Sequence, residues 1–188
     1  MLTTLEGHYL RSIVLDHYRV RRYLQSEGAA WDTMPFFGLV EAAFNTAVGQ
    51  LGRTRLGPDQ LERFADRAAA SSRRFYSVTP DEASRVLRYE LGEEVAVADL
   101  GGRLELAARV AVIATTVPHL RLTLHDLDNM LRKAELLAQQ WGFDATPYYP
   151  GTLARLVLML ADARWTTARL RRGRHHLRPA LPRHSRAR

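Results

Sequence analysis

The stretch TPDEASRVLRYELG, residues 79–92, carries a complete set of signals for one short α-helix. Thr79 can cap the first turn, and Pro80 suits the first helical position because its missing N–H needs no partner there. Glu82 can reach back to complete a capping box, and Gly92 can end the helix. The same order of cap, amphipathic run and glycine recurs along the chain, which predicts a helical protein.

Six further helices follow from signals of this kind and from apolar residues at steps of three and four. They are predicted within residues 3–25, 35–51, 56–75, 103–116, 123–141 and 152–170. The first half of the last segment is apolar on nearly all sides, which predicts a central position in the fold. The expected fold class is all-α, a compact multi-helix orthogonal or bundle domain of about six to seven helices.

One region supports two interpretations. VAVADL and RLELAA alternate in polarity around Gly101 and Gly102, which allows a small β-hairpin near residues 95–106. The abundance of alanine and the spacing of Leu104, Ala108 and Val112 favour a buried helix instead. We expect the helix, with the hairpin as the alternative.

Length and composition limit the organisation of the chain. The 188 residues suffice for one domain with its own core. We expect a single helical domain over residues 1–170 and a disordered arginine-rich tail over residues 171–188. The chain has no cysteine, which excludes a disulfide framework, a thiolate zinc site, an iron–sulfur cluster and a cysteine nucleophile.

The first residues, MLTTLEGHYL, lack the basic and then apolar pattern of a secretory signal. The apolar stretches LARLVLMLADA (153–163) and LAARVAVIATTV (106–117) are shorter than the roughly 18–20 residues that cross a bilayer. We therefore expect a cytoplasmic protein without a transmembrane segment.

Positive charge is concentrated at the end of the chain. RLRRGRHHLRPALPRHSRAR, residues 169–188, has eight arginines, three histidines and no acid, whereas residues 1–168 hold 19 basic and 20 acidic residues. Such a tail can bind nucleic acid without sequence preference by releasing counterions from phosphate. The predicted contacts are Arg169, Arg171, Arg172, Arg174, Arg178, Arg183, Arg186 and Arg188. A solvated extension without a binding role explains the same composition equally well.

Signatures of catalysis and of cofactor binding are missing from the sequence. No His-Glu-x-x-His or Glu-x-x-His metal motif occurs, and neither do the glycine patterns of nucleotide-binding loops or the Gly-x-Ser-x-Gly elbow. We expect no cofactor and no metal, and we name no catalytic residue.

We therefore interpret the chain as a non-enzymatic regulatory or accessory protein that contacts a protein partner or a second copy of itself. Aromatic residues in predicted loops are candidate interface anchors, with core packing as the alternative. They are Trp31, Phe36, Tyr148 and Tyr149. The second hypothesis is a helical enzyme or small-molecule sensor with an apolar pocket, in which His17 or His125 would hold the ligand.

Overall fold

The computed structural model describes residues 2–54, 56–72 and 76–175, the last six of these by their backbone alone. Over these residues the chain forms eight α-helices and one turn of 3-10 helix (Ala98–Leu100), without a β-strand. The α-helices are α1 (Leu5–Val14), α2 (Tyr18–Ser26), α3 (Met34–Gly52), α4 (Pro58–Ser72), α5 (Pro80–Glu90), α6 (Gly102–His119), α7 (Leu124–Gln140) and α8 (Thr152–His175). The all-α prediction is confirmed, with one helix more than the upper expected number.

The β-hairpin near residues 95–106 is not formed, and the helix favoured there is present as α6. Gly101 adopts a positive φ of 71°, which glycine enters without steric cost. Its carbonyl accepts hydrogen bonds from the amides of Leu104 (3.1 Å) and Glu105 (3.0 Å). The glycine pair therefore begins a helix instead of turning a hairpin.

The extra helix comes from the predicted segment 3–25, which is interrupted to give α1 and α2. Asp16 lies in the left-handed region (φ 55°), and the amide of His17 donates to the carbonyl of Ser12 at 2.8 Å. This is the geometry that closes the end of an α-helix, where glycine is usual. The apolar spacing continues across the break, so the spacing did not predict the interruption.

Two helix starts carry complete capping boxes. The amide of Thr79 donates to Glu82 at 2.7 Å, and the Glu82 amide donates back to the Thr79 hydroxyl at 3.3 Å. Thr123 and Asp126 form the same pair at the start of α7, at 2.8 and 3.2 Å. A capping side chain of this kind contributes about 1 kcal/mol to helix stability, so these signals were reliable.

The chain divides into two compact units, Met1–Tyr149 and Pro150–Arg188. In the first unit, α3 packs against α6 and α7, α4 packs against α5 and α6, and α1 packs against α2. The largest side chains buried there include Phe36, Phe44, Phe64, Ile113, Leu127 and Met130. Each contributes about 1.5–3 kcal/mol through removal of apolar surface from water, so this unit holds the main core. The predicted single domain over 1–170 stays a prediction.

The described part of the second unit is α8 with the short segment before it. The burial expected of a central helix is not found, because four large apolar side chains in its first half are exposed. Among the described helices, none combines the length and the apolar content needed to cross a membrane.

Candidate interaction surface

The apolar face of α8 is formed by Leu153, Leu156, Met159 and Leu160, which are 66%, 53%, 69% and 54% exposed. Eleven large apolar side chains are exposed in the described residues, and four of them lie within these eight positions. Single exposed apolar residues are ordinary, but a contiguous group marks a place where another molecule binds. We call these four residues the α8 face.

The spacing of residues along this helix places the face on one side. Leu153, Leu156 and Leu160 are followed at the same alternation of three and four by Ala163 and Thr167, which are also exposed. Steps of three and four residues repeat every seven residues, and side chains at this spacing form a stripe suited to packing against a second helix. The two small residues allow a partner backbone to approach closely.

Charged residues follow one edge of the helix away from this stripe. Arg155, Asp162 and Arg169 are seven residues apart, so they share one side of α8. The Arg155 Nε donates to the carbonyl of Pro150 at 2.9 Å, and the Arg169 guanidinium lies 5.1 Å from the centre of the Trp165 ring. The helix therefore has an apolar side and a mainly cationic edge.

The two units differ strongly in charge. Residues 150–188 contain ten arginines and one aspartate, whereas residues 1–149 contain 17 basic and 19 acidic residues. The α8 face therefore belongs to a segment of net charge +9, and the rest of the chain has net charge −2.

The arginines predicted to bind nucleic acid are only partly described. Arg169 lies on α8, and the helix backbone also includes Arg171, Arg172 and Arg174. The remaining four lie outside the described residues: Arg178, Arg183, Arg186 and Arg188. Their role stays a prediction.

Two of the four candidate anchor residues pack within the first unit. Phe36 is completely buried and lies 5.3 Å from the ring of Tyr9, centre to centre. Trp31 is half-buried, contacts Phe36 at 5.5 Å and stacks on Tyr76 at 5.6 Å with an angle of 9° between rings. Phe36 has no surface to offer a partner, so it is not carried into the proposal below.

The neighbouring tyrosines 148 and 149 have different surroundings. Tyr148 is half-buried, its ring meets His8 edge-on at 5.6 Å, and its amide donates to the carbonyl of Thr3 at 2.9 Å. Burial raises the pKa of the Tyr148 hydroxyl to about 12. Tyr149 is 85% exposed. Of the four aromatic candidates, Tyr149 has the surface that an anchor needs.

The two histidines of the pocket hypothesis lie on different elements. His17 is half-buried and directly precedes α2, and His125 is exposed in the first turn of α7. Two open grooves in the first unit, of about 450 and 710 Å³, are lined by other residues. In the described part of the chain, no three His, Asp or Glu side chains are grouped closely enough to share a metal ion.

Sequence reasoning missed a set of buried polar contacts that hold the start of the chain. Glu135 on α7 accepts hydrogen bonds from the amide of Thr4 (3.0 Å), from its hydroxyl (2.7 Å), and from the amide and hydroxyl of Thr3. Arg11 on α1 forms an ion pair with Asp128, which like Glu135 lies on α7. Because more than a hundred residues separate these partners, no local pattern could indicate them.

No protein-family model, curated protein or solved structure matches this chain. The function proposed below therefore rests on the chain's own residues.

Proposed function

We propose that this protein is a non-enzymatic regulatory or accessory module whose α8 face binds an acidic amphipathic helix of a protein partner. The observation that carries the proposal is the exposure of Leu153, Leu156, Met159 and Leu160 within eight residues of one helix. Burial of such a group against a partner removes apolar surface from water and stabilises the complex.

A helical partner is favoured by the geometry of the stripe. From Leu153 to Thr167 the stripe runs for about 21 Å at 1.5 Å per residue. Residues at this alternation keep facing a second helix as the pair coils, and each leucine can enter a hole between four partner side chains. Amphipathic helices that bind in the groove of a partner protein use anchor side chains at the same spacing.

Charge favours an acidic partner over a second copy of the chain. Two copies joined through α8 would bring together two segments that each carry ten arginines and one aspartate. Like charges at an interface oppose association, whereas glutamates beside partner leucines would attract Arg164, which lies next to the stripe at helical spacing. The partner we propose therefore has leucines on one side of its helix and carboxylates beside them.

The arginine-rich tail is the second part of the proposal. We assign it a salt-sensitive affinity for nucleic acid without sequence preference, supported by eight arginines and no acid in residues 169–188. A cytoplasmic location is included, since a chain without cysteine needs no oxidising compartment to fold.

The test uses the full chain and two synthetic amphipathic helical peptides. Both have leucine at the seam positions; one has glutamate beside the seam and the other has lysine. Fluorescence anisotropy should show binding of the glutamate peptide and none of the lysine peptide. Leu156→Glu should weaken binding at least tenfold, which corresponds to about 1.4 kcal/mol.

The matched control is Leu136→Glu, which places the same charge on an exposed leucine of α7 that is 55% exposed. It should bind the glutamate peptide like the unchanged protein. Equal binding of both peptides, or binding that survives Leu156→Glu, would disprove the proposal. Self-association in sedimentation that Leu156→Glu abolishes would assign the face to a second copy. Binding only to vesicles of anionic phospholipid would assign it to a membrane surface.

A further inference from the structure

A second surface, independent of α8, lies in the first unit. An open groove of about 710 Å³ is formed by the segment after α3, by α4 and by the end of α6. Its lining residues are mostly polar or charged: Thr54, Leu56, Gln60, Arg63, Asp66, Arg67 and His119. We call it the α4–α6 groove.

Arg63 and Arg67 line this groove and lie one helical turn apart on α4. The Nε of Arg63 donates to the carbonyl of Asp59 at 3.1 Å, and the Nε of Arg67 donates to the carbonyl of Arg63 at 3.1 Å. These bonds hold both guanidinium groups along α4 and leave their Nη donors available, apart from the one that Arg67 directs at His119. Arg85 and Arg109 form ion pairs with carboxylates, but within the described residues neither groove arginine does.

His119 adds a third donor from α6. The Arg67 Nη2 lies 3.3 Å from the His119 Nδ1. A guanidinium can only donate, so the Nδ1 accepts and the neutral ring carries its proton on Nε2. Burial and the charge of Arg67 lower the pKa of His119 below its ordinary value. The ring also meets Phe64 edge-on at 5.3 Å, which fixes its orientation.

We infer that the α4–α6 groove binds the phosphate group of a small phosphorylated molecule. Forked guanidinium donors match the geometry of phosphate oxygens, and a neutral imidazole N–H can donate to a further oxygen. The two arginines lack a described carboxylate that would satisfy them, so an incoming dianion meets donors that need not break an ion pair first.

The acidic residues around the groove argue for a small ligand. Asp59, Glu62 and Asp66 are exposed on the same helix as the two arginines, and residues 1–149 have a net charge of −2. Of these three carboxylates only Asp66 lines the groove, so a long polyanion such as nucleic acid would meet Asp59 and Glu62 as well and be repelled. A single phosphate would meet the two arginines, His119 and one carboxylate.

The experiment uses full-length protein with labelled histidines and two probes, inorganic phosphate and glycerol 3-phosphate. Either probe should shift the NMR signals of His119 in a saturable manner, whereas sodium chloride at equal ionic strength should not. Tighter binding of glycerol 3-phosphate would support an organic phosphate as ligand, and equal binding would support phosphate alone. His125, which is exposed at the start of α7, is the internal control and should not shift.

Three substitutions separate a binding site from general electrostatics. Arg67→Gln should weaken phosphate binding at least tenfold, and Asp66→Asn should strengthen it severalfold because it removes a carboxylate from the groove lining. Arg132→Gln, which removes an exposed arginine from α7, should leave binding unchanged.

The stronger phosphate binding expected of Asp66→Asn keeps the test valid if Arg67→Gln folds poorly. Circular dichroism checks that all three variants are folded. Unchanged binding in both groove variants would overturn the inference, as would equal losses in Arg67→Gln and Arg132→Gln. A single-stranded oligonucleotide that shifts His119 at lower concentration than phosphate would overturn the choice of a small ligand.

Discussion

Helices α6 and α8 have similar compositions and opposite surroundings. The similarity lies in their apolar stretches, residues 106–117 of α6 and 153–163 of α8. Eleven residues of α6 are buried, whereas α8 exposes four large apolar side chains. The buried arginine of α6, Arg109, pairs with Glu41 on α3 and with Glu105, and its guanidinium lies 5.3 Å from the Phe44 ring centre. On α8, Arg155 bonds to a backbone carbonyl. Composition alone therefore does not determine burial, because burial also requires neighbours that complement each side chain.

The largest expected effect contrasts these two helices directly. Ile113→Ala removes a completely buried side chain of α6 and should lower the free energy of unfolding by about 2–5 kcal/mol. Leu160→Ala on α8 should change it by no more than about 0.5 kcal/mol, because that side chain is 54% exposed. Urea unfolding measures both values. Equal losses would show that α8 is as well packed as α6, and the comparison would fail.

A smaller effect tests how tightly the core of the first unit is packed. A Cβ at Gly38 on α3 would overlap the ring of Phe143, so Gly38→Ala should destabilise the protein by about 1–3 kcal/mol. Gly49 lies on the same helix with no atom near the corresponding position. Gly49→Ala should stabilise by about 0.5–1 kcal/mol through helix propensity. Thermal unfolding of the two variants should give shifts of opposite sign, and shifts of the same sign would contradict this packing.

His8, a buried histidine of α1, should make the stability of the first unit depend on pH. Burial, followed by the charge of Arg11, lowers the pKa of His8 below its ordinary value of 6.5. The unfolded chain therefore binds a proton more readily than the folded chain. The free energy of unfolding should be level above pH 6.5 and should fall as the pH drops below it.

His8→Gln should reduce this decline in the free energy of unfolding. Urea unfolding between pH 5 and pH 8 measures the difference, because these pH values bracket the titration of histidine. His125→Gln, which changes an exposed histidine, should leave the decline unchanged. An identical pH profile for His8→Gln and the unchanged protein would contradict the role of His8.

The smallest expected effect concerns backbone strain at two helix ends. Arg121, after α6, and Gly142, after α7, both have positive φ, at 55° and 85°. Glycine adopts this region freely, whereas other residues lose about 1 kcal/mol. Arg121→Gly should therefore stabilise by a few tenths of a kcal/mol, after the entropy that glycine adds to the unfolded chain. Gly142→Ala should destabilise by about 1 kcal/mol, and calorimetry should show the opposite signs.

Local signals in the sequence predicted much of the fold. The capping box at Thr79 is a four-residue pattern, and it is formed as expected. Thr123 and Asp126 form the same pattern at the start of α7. The break before α2 escaped prediction because Asp16 occupies a backbone conformation that usually indicates glycine. The interruption takes only residues 15–17, so the apolar spacing on either side stayed in phase.

The two proposed interaction surfaces were less predictable than the helices, because they depend on residues that are distant in the sequence. Arg63 and Arg67 resemble an ordinary solvated helix surface until His119, 52 residues after Arg67, is placed beside them. The α8 face could be recognised as apolar, but apolar spacing alone does not tell whether such side chains are buried or exposed. The anchor candidates Trp31 and Tyr148 were predicted from their aromatic type and their predicted loop positions. These two properties do not distinguish an aromatic side chain on the surface from one that packs against the core.

The hydrogen bonds from Thr3 and Thr4 to Glu135 tie the segment before α1 to α7. Glu135 is 7% exposed, and four donors from Thr3 and Thr4 satisfy its carboxylate. A protease that trims these two residues would leave that carboxylate buried without those donors, at a cost of about 1–3 kcal/mol or more. Loss of these four donors would therefore make the first unit more prone to unfold.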